Sequence, residues 1–309
     1  MLAVKFCDSF AQASGSDRPP LRRSRYASWG LLPLYWKPFG AVSPLEIVSH
    51  RVVWSLFLLT ILAVVFRQLD ELRVVLRNRK RLAVLGVTAG LLSVNWGLFI
   101  YGVVSGQVVQ TSLGYFLNPL VSILLAFVFL KERLNPVQMA AVFLAAWGVG
   151  HFGWHLGRLP WIALGLAFSF GLYGLLRKIV AVTPLVGLLV ETGLMAPVAL
   201  ALIWTYSTKG WAGFGTSTQL TLLYLGAGVV TTLPLLWFNS AARLLRLSTM
   251  GFLQYLAPTL QLLVGVWVFK ESFTSREAIA FALIWTGIAV YLCSLLQSRR
   301  YAIPTPDPD

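Results

Sequence analysis

Ten apolar stretches run through this 309-residue chain. Each is about as long as the ~20 residues that a helix needs to cross a bilayer. They fall at 26–43, 46–66, 82–104, 108–130, 136–154, 160–180, 184–205, 218–239, 248–269 and 276–296. Hydrocarbon offers no water to a backbone amide, so such stretches fold there as helices. Pro44, Pro136, Pro160 and Pro184 stand at or near span starts, where a missing N–H costs little. Only 12% of residues are charged, about half the ~25% of a soluble domain. The expected class is an all-α polytopic membrane protein with ten transmembrane helices.

The net charge of +14 could point to nucleic acid, but its distribution points to membrane lipid instead. With a cytoplasmic N-terminus, nineteen of the twenty-five Lys and Arg residues lie on the cytoplasmic side and five on the other, with Arg51 inside a span. That asymmetry is the positive-inside pattern, and it places both termini in the cytoplasm. Residues 1–25 and 299–309 read as cytoplasmic tails, the first of them disordered. Cys7 and Cys293 have no disulfide or zinc spacing. His151 and His155 lack the Glu between them that a metalloprotease helix carries. No metal or cofactor is expected, and no Walker A loop is present.

The two halves of the chain resemble each other. Ser28-Trp-Gly matches Ser169-Phe-Gly, and Lys37 matches Lys178, at an offset of 141. Ser43-Pro matches Thr183-Pro at 140, and Ala89-Gly90 matches Ala227-Gly228 at 138, with Ser93 falling on Thr231. Pro119, Lys131 and Glu132 match Pro258, Lys270 and Glu271 at 139, and Gly148 keeps that offset to Gly287. The expected units are therefore 26–156 and 157–298. Each holds five spans, an odd number, so the second sits inverted relative to the first. Inverted repeats are typical of carriers that alternate access around a site near the membrane midplane.

An ionisable residue inside a membrane is a functional candidate by default. Glu46, His50 and Arg51 enter on the second span, where Glu46 and His50 share a face; they are candidates for solute binding or for an outer gate. Glu191 stands on the seventh span at the repeat-equivalent position of Arg51, and is a candidate for an inner role and for proton coupling. The fourth helix of each half carries a proline, Pro119 and Pro258, beside Tyr115, Asn118, Gln254 and Tyr255. Proline frees a backbone carbonyl, which is tolerated in a membrane where it faces protein or a wet cavity. With Asn95 and Trp96 of the third span, these residues outline an amphipathic pocket for a small solute.

The stretches Glu46-Ile-Val-Ser-His-Arg51, Asn95-Trp96, Ser112-Leu-Gly-Tyr-Phe-Leu-Asn-Pro119, Glu191-Thr192, Thr231-Thr-Leu-Pro234 and Gln254-Tyr-Leu-Ala-Pro258 together resemble the RarD-type permeases. These belong to the EamA-like branch of the drug/metabolite transporter superfamily. The resemblance covers about residues 28–296. It implies a bacterial inner-membrane carrier, commonly an exporter, of amino-acid-like solutes, other small metabolites or drugs such as amphenicols. One departure is Arg22-Arg-Ser-Arg-Tyr26, where the family usually carries apolar residues before its Trp-Gly motif. Two other classes stay open at this point. One is a non-transporting structural or sensory membrane protein. The other is an intramembrane enzyme, for which no nucleophile or metal set is found. The oligomeric state is left open.

Overall fold

A computed structural model of the chain describes residues 29–131, 134–244 and 255–300. Among them every regular element is helical. α1 spans Leu32–Trp36 and tightens into a 3₁₀ turn at Lys37–Phe39. α2 spans Pro44–Val65, α3 Leu69–Arg77, α4 Arg79–Val104 and α5 Val108–Leu130. α6 follows at Pro136–Leu156, α7 at Trp161–Ile179, α8 at Pro184–Thr208 and α9 at Thr218–Leu244. α10 spans Leu256–Leu263 and widens into a π-helical stretch at Val264–Val268. α11 closes the order at Ser275–Arg300.

Six of these helices, α2, α4, α5, α7, α8 and α11, are long and apolar enough to cross a membrane. α6 and α9 match them in length, at 21 and 27 residues. The spans expected at 26–43 and 248–269 are described only from residues 29 and 255. The tail expected at 1–25, residues 301–309 of the tail expected at 299–309, the basic stretch before Trp29, Glu132 and Gln254 lie outside the described residues, and residues 299–300 continue α11. α3 falls within the basic segment between the second and third spans. Its nine residues are Leu-Asp-Glu-Leu-Arg-Val-Val-Leu-Arg, with Val75 buried and both neighbours of Val75 exposed, the pattern of a helix lying on the body of a protein.

Local chemistry sets the helix ends. Asn135 and Gln138 form a reciprocal capping box at the start of α6, with Pro136 in its first turn. Such a box satisfies two of the amides a helix start leaves unpaired. Asn78 Oδ1 accepts from the Arg81 amide at 3.1 Å at the start of α4. Two helix starts and one loop take a carboxylate from elsewhere in the chain. Glu271 accepts from the Val108 and Val109 amides of α5 at 2.7 and 2.8 Å. Glu71 of α3 accepts from the Thr183 amide and hydroxyl before α8, both at 2.8 Å. Glu46 holds the loop before α9, as described below. A carboxylate suits such a place because the helix N-terminus carries partial positive charge. Glu271 reaches its place through the widened last turn of α10: Phe269 bonds back to Val264 across a π turn, and Lys270 takes a left-handed backbone with φ of 57°. Lys131, at the end of α5, is left-handed too, with φ of 54°.

The bundle packs α6 on α11, α5 on α7 and α10, α2 on α8 and α9, and α4 on α7 and α8. Small residues allow these approaches. A Cβ on Gly148 of α6 would meet Ala280 and Ile284 of α11 at 2.9 and 2.8 Å. Conversely, a Cβ on Gly287 of α11 would meet Ala141 of α6 at 2.7 Å and Ala145 at 3.4 Å. At the α9–α2 crossing, a Cβ on Gly228 would lie 2.5 Å from the Trp54 carbonyl carbon. Outward, Phe57, Trp147, Trp204 and Trp267 are exposed. Large apolar side chains on the outside of a helical bundle match a hydrocarbon solvent.

Gly228 and Gly90 offer a matched comparison, because nothing lies within 4 Å of a Cβ placed on Gly90. Gly228→Ala should destabilise by about 1–3 kcal/mol through overpacking. Gly90→Ala should be neutral or stabilising by up to ~1 kcal/mol from helix propensity. Thermal unfolding in detergent, read by tryptophan fluorescence, checks both.

Candidate functional site

Arg51 sits two turns into α2 and keeps only 6% of its surface exposed. Its guanidinium lies over the Trp96 ring, 3.7 Å from the ring centre, with the Trp36 ring at 6.0 Å. Its Nε is buried with no hydrogen-bond partner, and no carboxylate among the described residues lies within salt-bridge distance. Arg51, Asn95, Trp96 and Tyr115 line one narrow cavity of about 20 Å³, room for about one water molecule. Asn95 is held in place by α7: its amide nitrogen donates to the Leu166 carbonyl at 3.1 Å and to Ser169 Oγ at 3.0 Å. The same cavity is lined by Trp29 and Phe170, whose rings meet edge to face with centres 6.5 Å apart, and by Thr231 and Pro234 of α9.

The expected Glu46, His50 and Arg51 group divides. Glu46 is 1% exposed, and its Oε1 accepts from the Gly213 amide at 2.7 Å and the Phe214 amide at 3.3 Å. His50 stacks on Phe214 with ring centres 4.8 Å apart and packs on Tyr224 at 4.4 Å. Both therefore tie α2 to the loop between α8 and α9, away from the Arg51 cavity. Nearby, Tyr35 Oη donates to the Leu223 carbonyl.

Glu191 belongs to a second polar group. It is fully buried, with Thr88 Oγ1 at 2.7 Å, Tyr173 Oη at 3.4 Å and Arg177 Nε at 3.9 Å. These partners come from α4 and α7, so the group joins three helices. Arg177 reaches it by passing across Gly187, where any Cβ would collide with the guanidinium. Val75, Leu85, Val180, Val182, Val186 and Val190 pack together alongside. α8 runs from the Glu71-capped start at Thr183–Pro184 to the loop that Glu46 holds. Its 25 residues span about 37 Å at 1.5 Å each, so the two polar groups lie toward opposite ends of the bundle.

The fourth-helix residues separate as well. Tyr115 reaches the cavity. Pro119 is inside α5, and Asn118 Oδ1 is buried without a hydrogen-bond partner. Tyr255 stacks on Phe116 at 6.2 Å, and the Pro258 carbonyl accepts from Ser112 Oγ at 3.0 Å. These contacts join α5 to α10. Gln254 lies outside the described residues. Trp29, Phe170 and Thr231 were not singled out as site residues, although the repeat alignment matches Trp29 with Phe170. Thr88, Tyr173 and Arg177, the partners of Glu191, carry no sequence signal beyond their residue type. Among the described residues no three His, Cys, Asp or Glu side chains gather as metal ligands.

Comparison with known proteins places this geometry. Residues 26–152 match the EamA-like transporter family. An uncharacterized transporter of Vibrio cholerae is 46% identical over 280 residues, 90% of this chain and 93% of that protein. Protein RarD of Escherichia coli K12 is 41% identical over 281 residues, 91% of this chain and 95% of that protein. One protein of known crystal structure shares the fold with a TM-score of 0.58, at 18% identity, over 96% of this chain and 99% of that one.

Glu46→Leu would leave the Gly213 and Phe214 amides without their acceptor. Losing a charged acceptor from these part-buried amides costs about 1–3 kcal/mol in all. The variant should unfold at lower temperature and be nicked by protease faster within residues 209–217, as read by mass spectrometry of the fragments.

Proposed function

The chain belongs to the EamA-like transporter family as a RarD-type permease, and from that premise we propose that it is a secondary carrier for small amphipathic solutes. It works by alternating access, in ten transmembrane helices arranged as two inverted five-helix units, 26–156 and 157–298. Both termini face the cytoplasm, and the direction of transport is export. The cargo is drawn from amino-acid-like metabolites and amphenicol-type drugs.

The observation that carries this reading is the way repeat-equivalent residues meet. Gly148 packs on Ala280 and Ile284, while Gly287 packs on Ala141 and Ala145; the four contacts form two pairs that exchange under the offset of 139. Gly30 packs on Leu260, and Gly171 packs on Val121, which are equivalent contacts at offsets of 141 and 139. Trp29 touches its own equivalent, Phe170. Reciprocal contacts of this kind arise when two like units face each other across a two-fold axis. The Trp29–Phe170 contact lines the cavity, so the cavity falls where that axis passes. Inverted-repeat carriers hold their substrate at such a place.

The two polar groups serve as gates. On the first, Glu46 and His50 hold α2 against the 209–217 loop. On the second, Glu191 holds α4, α7 and α8 together through Thr88, Tyr173 and Arg177. Opening either end breaks one set and leaves the other closed. Glu191 is the acid placed to couple a proton to that cycle, since its partners include Arg177, which must find another anion or solvent when the gate opens. The enzyme reading has no support of this kind, because the two buried acids among the described residues are occupied, Glu46 by loop amides and Glu191 by Thr88, Tyr173 and Arg177.

Flux in proteoliposomes tests the proposal, with a mass-spectrometric panel of amino acids, small metabolites and amphenicols run with and without a pH gradient. Wild-type protein should move at least one solute, faster with the gradient. Glu191→Gln should keep solute exchange and lose the acceleration by the gradient. If folded wild-type protein moves no solute, the carrier reading is wrong. Acceleration that survives Glu191→Gln removes that residue as the coupling site.

A further inference from the structure

Among the described residues one buried charge, that of Arg51, has no opposite. Glu191 faces Arg177, while Glu271, Glu71 and Glu46 each accept from backbone amides. Among the described residues Arg51 has no acid, only aromatic neighbours: Trp96 at 3.7 Å and Trp36 at 6.0 Å from its guanidinium carbon, with the neutral Tyr115 phenol lining the same cavity. A guanidinium stays protonated in proteins and carries five N–H donors in a planar fork. Aromatic faces attract its charge but take none of its in-plane hydrogen bonds. The nearest acid in sequence, Glu46, is turned to Gly213 and Phe214. An isolated charge at this depth is costly. The cost is removed when a counter-anion enters, and Arg51 lines the cavity into which such an anion would come.

We infer that Arg51 binds the acid group of the cargo, and that the cargo is a small monocarboxylate whose remainder is apolar or aromatic. This rests on the carrier reading above. The charge balance selects a monoanion, because the other polar lining residues, Asn95, Tyr115 and Thr231, are neutral. A dianionic phosphate would bring one negative charge too many. The planar fork matches a carboxylate with two parallel hydrogen bonds. The walls contributed by Trp29, Phe99 and Phe170 suit a hydrocarbon or aromatic body. A solute amine finds no carboxylate among the described lining residues, so an acid is what the site distinguishes. The acid also resolves the small size of the cavity: solute entry separates the walls, and the new ion pair offsets that cost.

The test uses the full chain in phosphatidylcholine nanodiscs, which contain no anionic lipid. Binding of hydrocinnamate, hydrocinnamamide, phenylpropylamine and inorganic phosphate is followed by calorimetry and by tryptophan fluorescence, with Trp96 as the internal reporter. Hydrocinnamate should bind about tenfold or more tighter than its neutral amide, the gain of a charge-assisted pair. Amine and phosphate should bind no better than the amide. Arg51→Gln should erase the preference for the acid, and Arg51→Lys should keep part of it. Without ligand, Arg51→Gln should unfold no earlier than wild type, because an unpaired buried charge has been removed; a purely structural arginine predicts the opposite. Equal binding of acid and amide overturns the inference, as does a preference that survives Arg51→Gln. Acid binding seen only after anionic lipid is added would assign the site to a headgroup, overturning it as well. Flux in the same preparation separates this from the carrier reading. Transport of neutral solutes with no preference for acids overturns the carboxylate assignment and leaves the carrier standing. Arg51-dependent acid binding with no flux of any solute leaves the anion site and removes the carrier.

Discussion

Inside a bilayer a polar group can turn only to the protein itself, and most of this structure follows from that constraint. The helices satisfy their own backbones except at their starts, where amides are left over. Three carboxylates, Glu46, Glu71 and Glu271, go to such amides or to the loop beside them. Each joins segments far apart in sequence, so the same bonds that satisfy helix and loop amides also fix which helix stands beside which. These three acids are thereby committed to architecture. Arg51 is left with aromatic neighbours, and its lack of an acid is a result of how the others are placed.

The helices themselves were legible because hydrophobicity and length carry the signal. The expected spans at 46–66, 108–130 and 184–205 are found as Pro44–Val65, Val108–Leu130 and Pro184–Thr208. α3 was harder to see, since nine residues rich in charge read as a basic segment by composition alone. The site was legible in part. Arg51, Asn95, Trp96 and Tyr115 come from three separate motifs and face one cavity. The separation of Glu46 and His50 from Arg51 could not be read, because helical spacing says which residues share a face and not which neighbour that face meets. The loop at 213–214 supplies that neighbour, and nothing in its Gly-Phe sequence announces an acceptor on α2.

Glu191 shows the same limit from the other direction. A buried acid in a span is easy to find and its partners are not. Thr88 and Tyr173 are ordinary residues of apolar helices, and Arg177 reads as a basic residue at a helix end. What brings Arg177 inward is an absence, the missing side chain of Gly187. In sequence that glycine is one of twenty-six, and only its position under the guanidinium gives it meaning. Glycine here shapes electrostatics as well as packing, since it opens the route by which a cation reaches a buried anion.

The contact between α6 and α11 has a consequence of another kind. Gly148 meets Ala280 and Ile284, and Gly287 meets Ala141 and Ala145, so each helix offers the other nearly the surface it receives. A surface complementary to its own counterpart is the kind that two separate identical chains can share in a symmetric dimer. Joining them in one polypeptide frees each side to drift, because a change at one glycine no longer appears twice. Residues such as Arg51 and Glu191, which stand at equivalent positions with opposite charge, are what that freedom permits: equivalent places in one bundle can hold unlike chemistry, a cavity-lining cation at one and an acid joining three helices at the other.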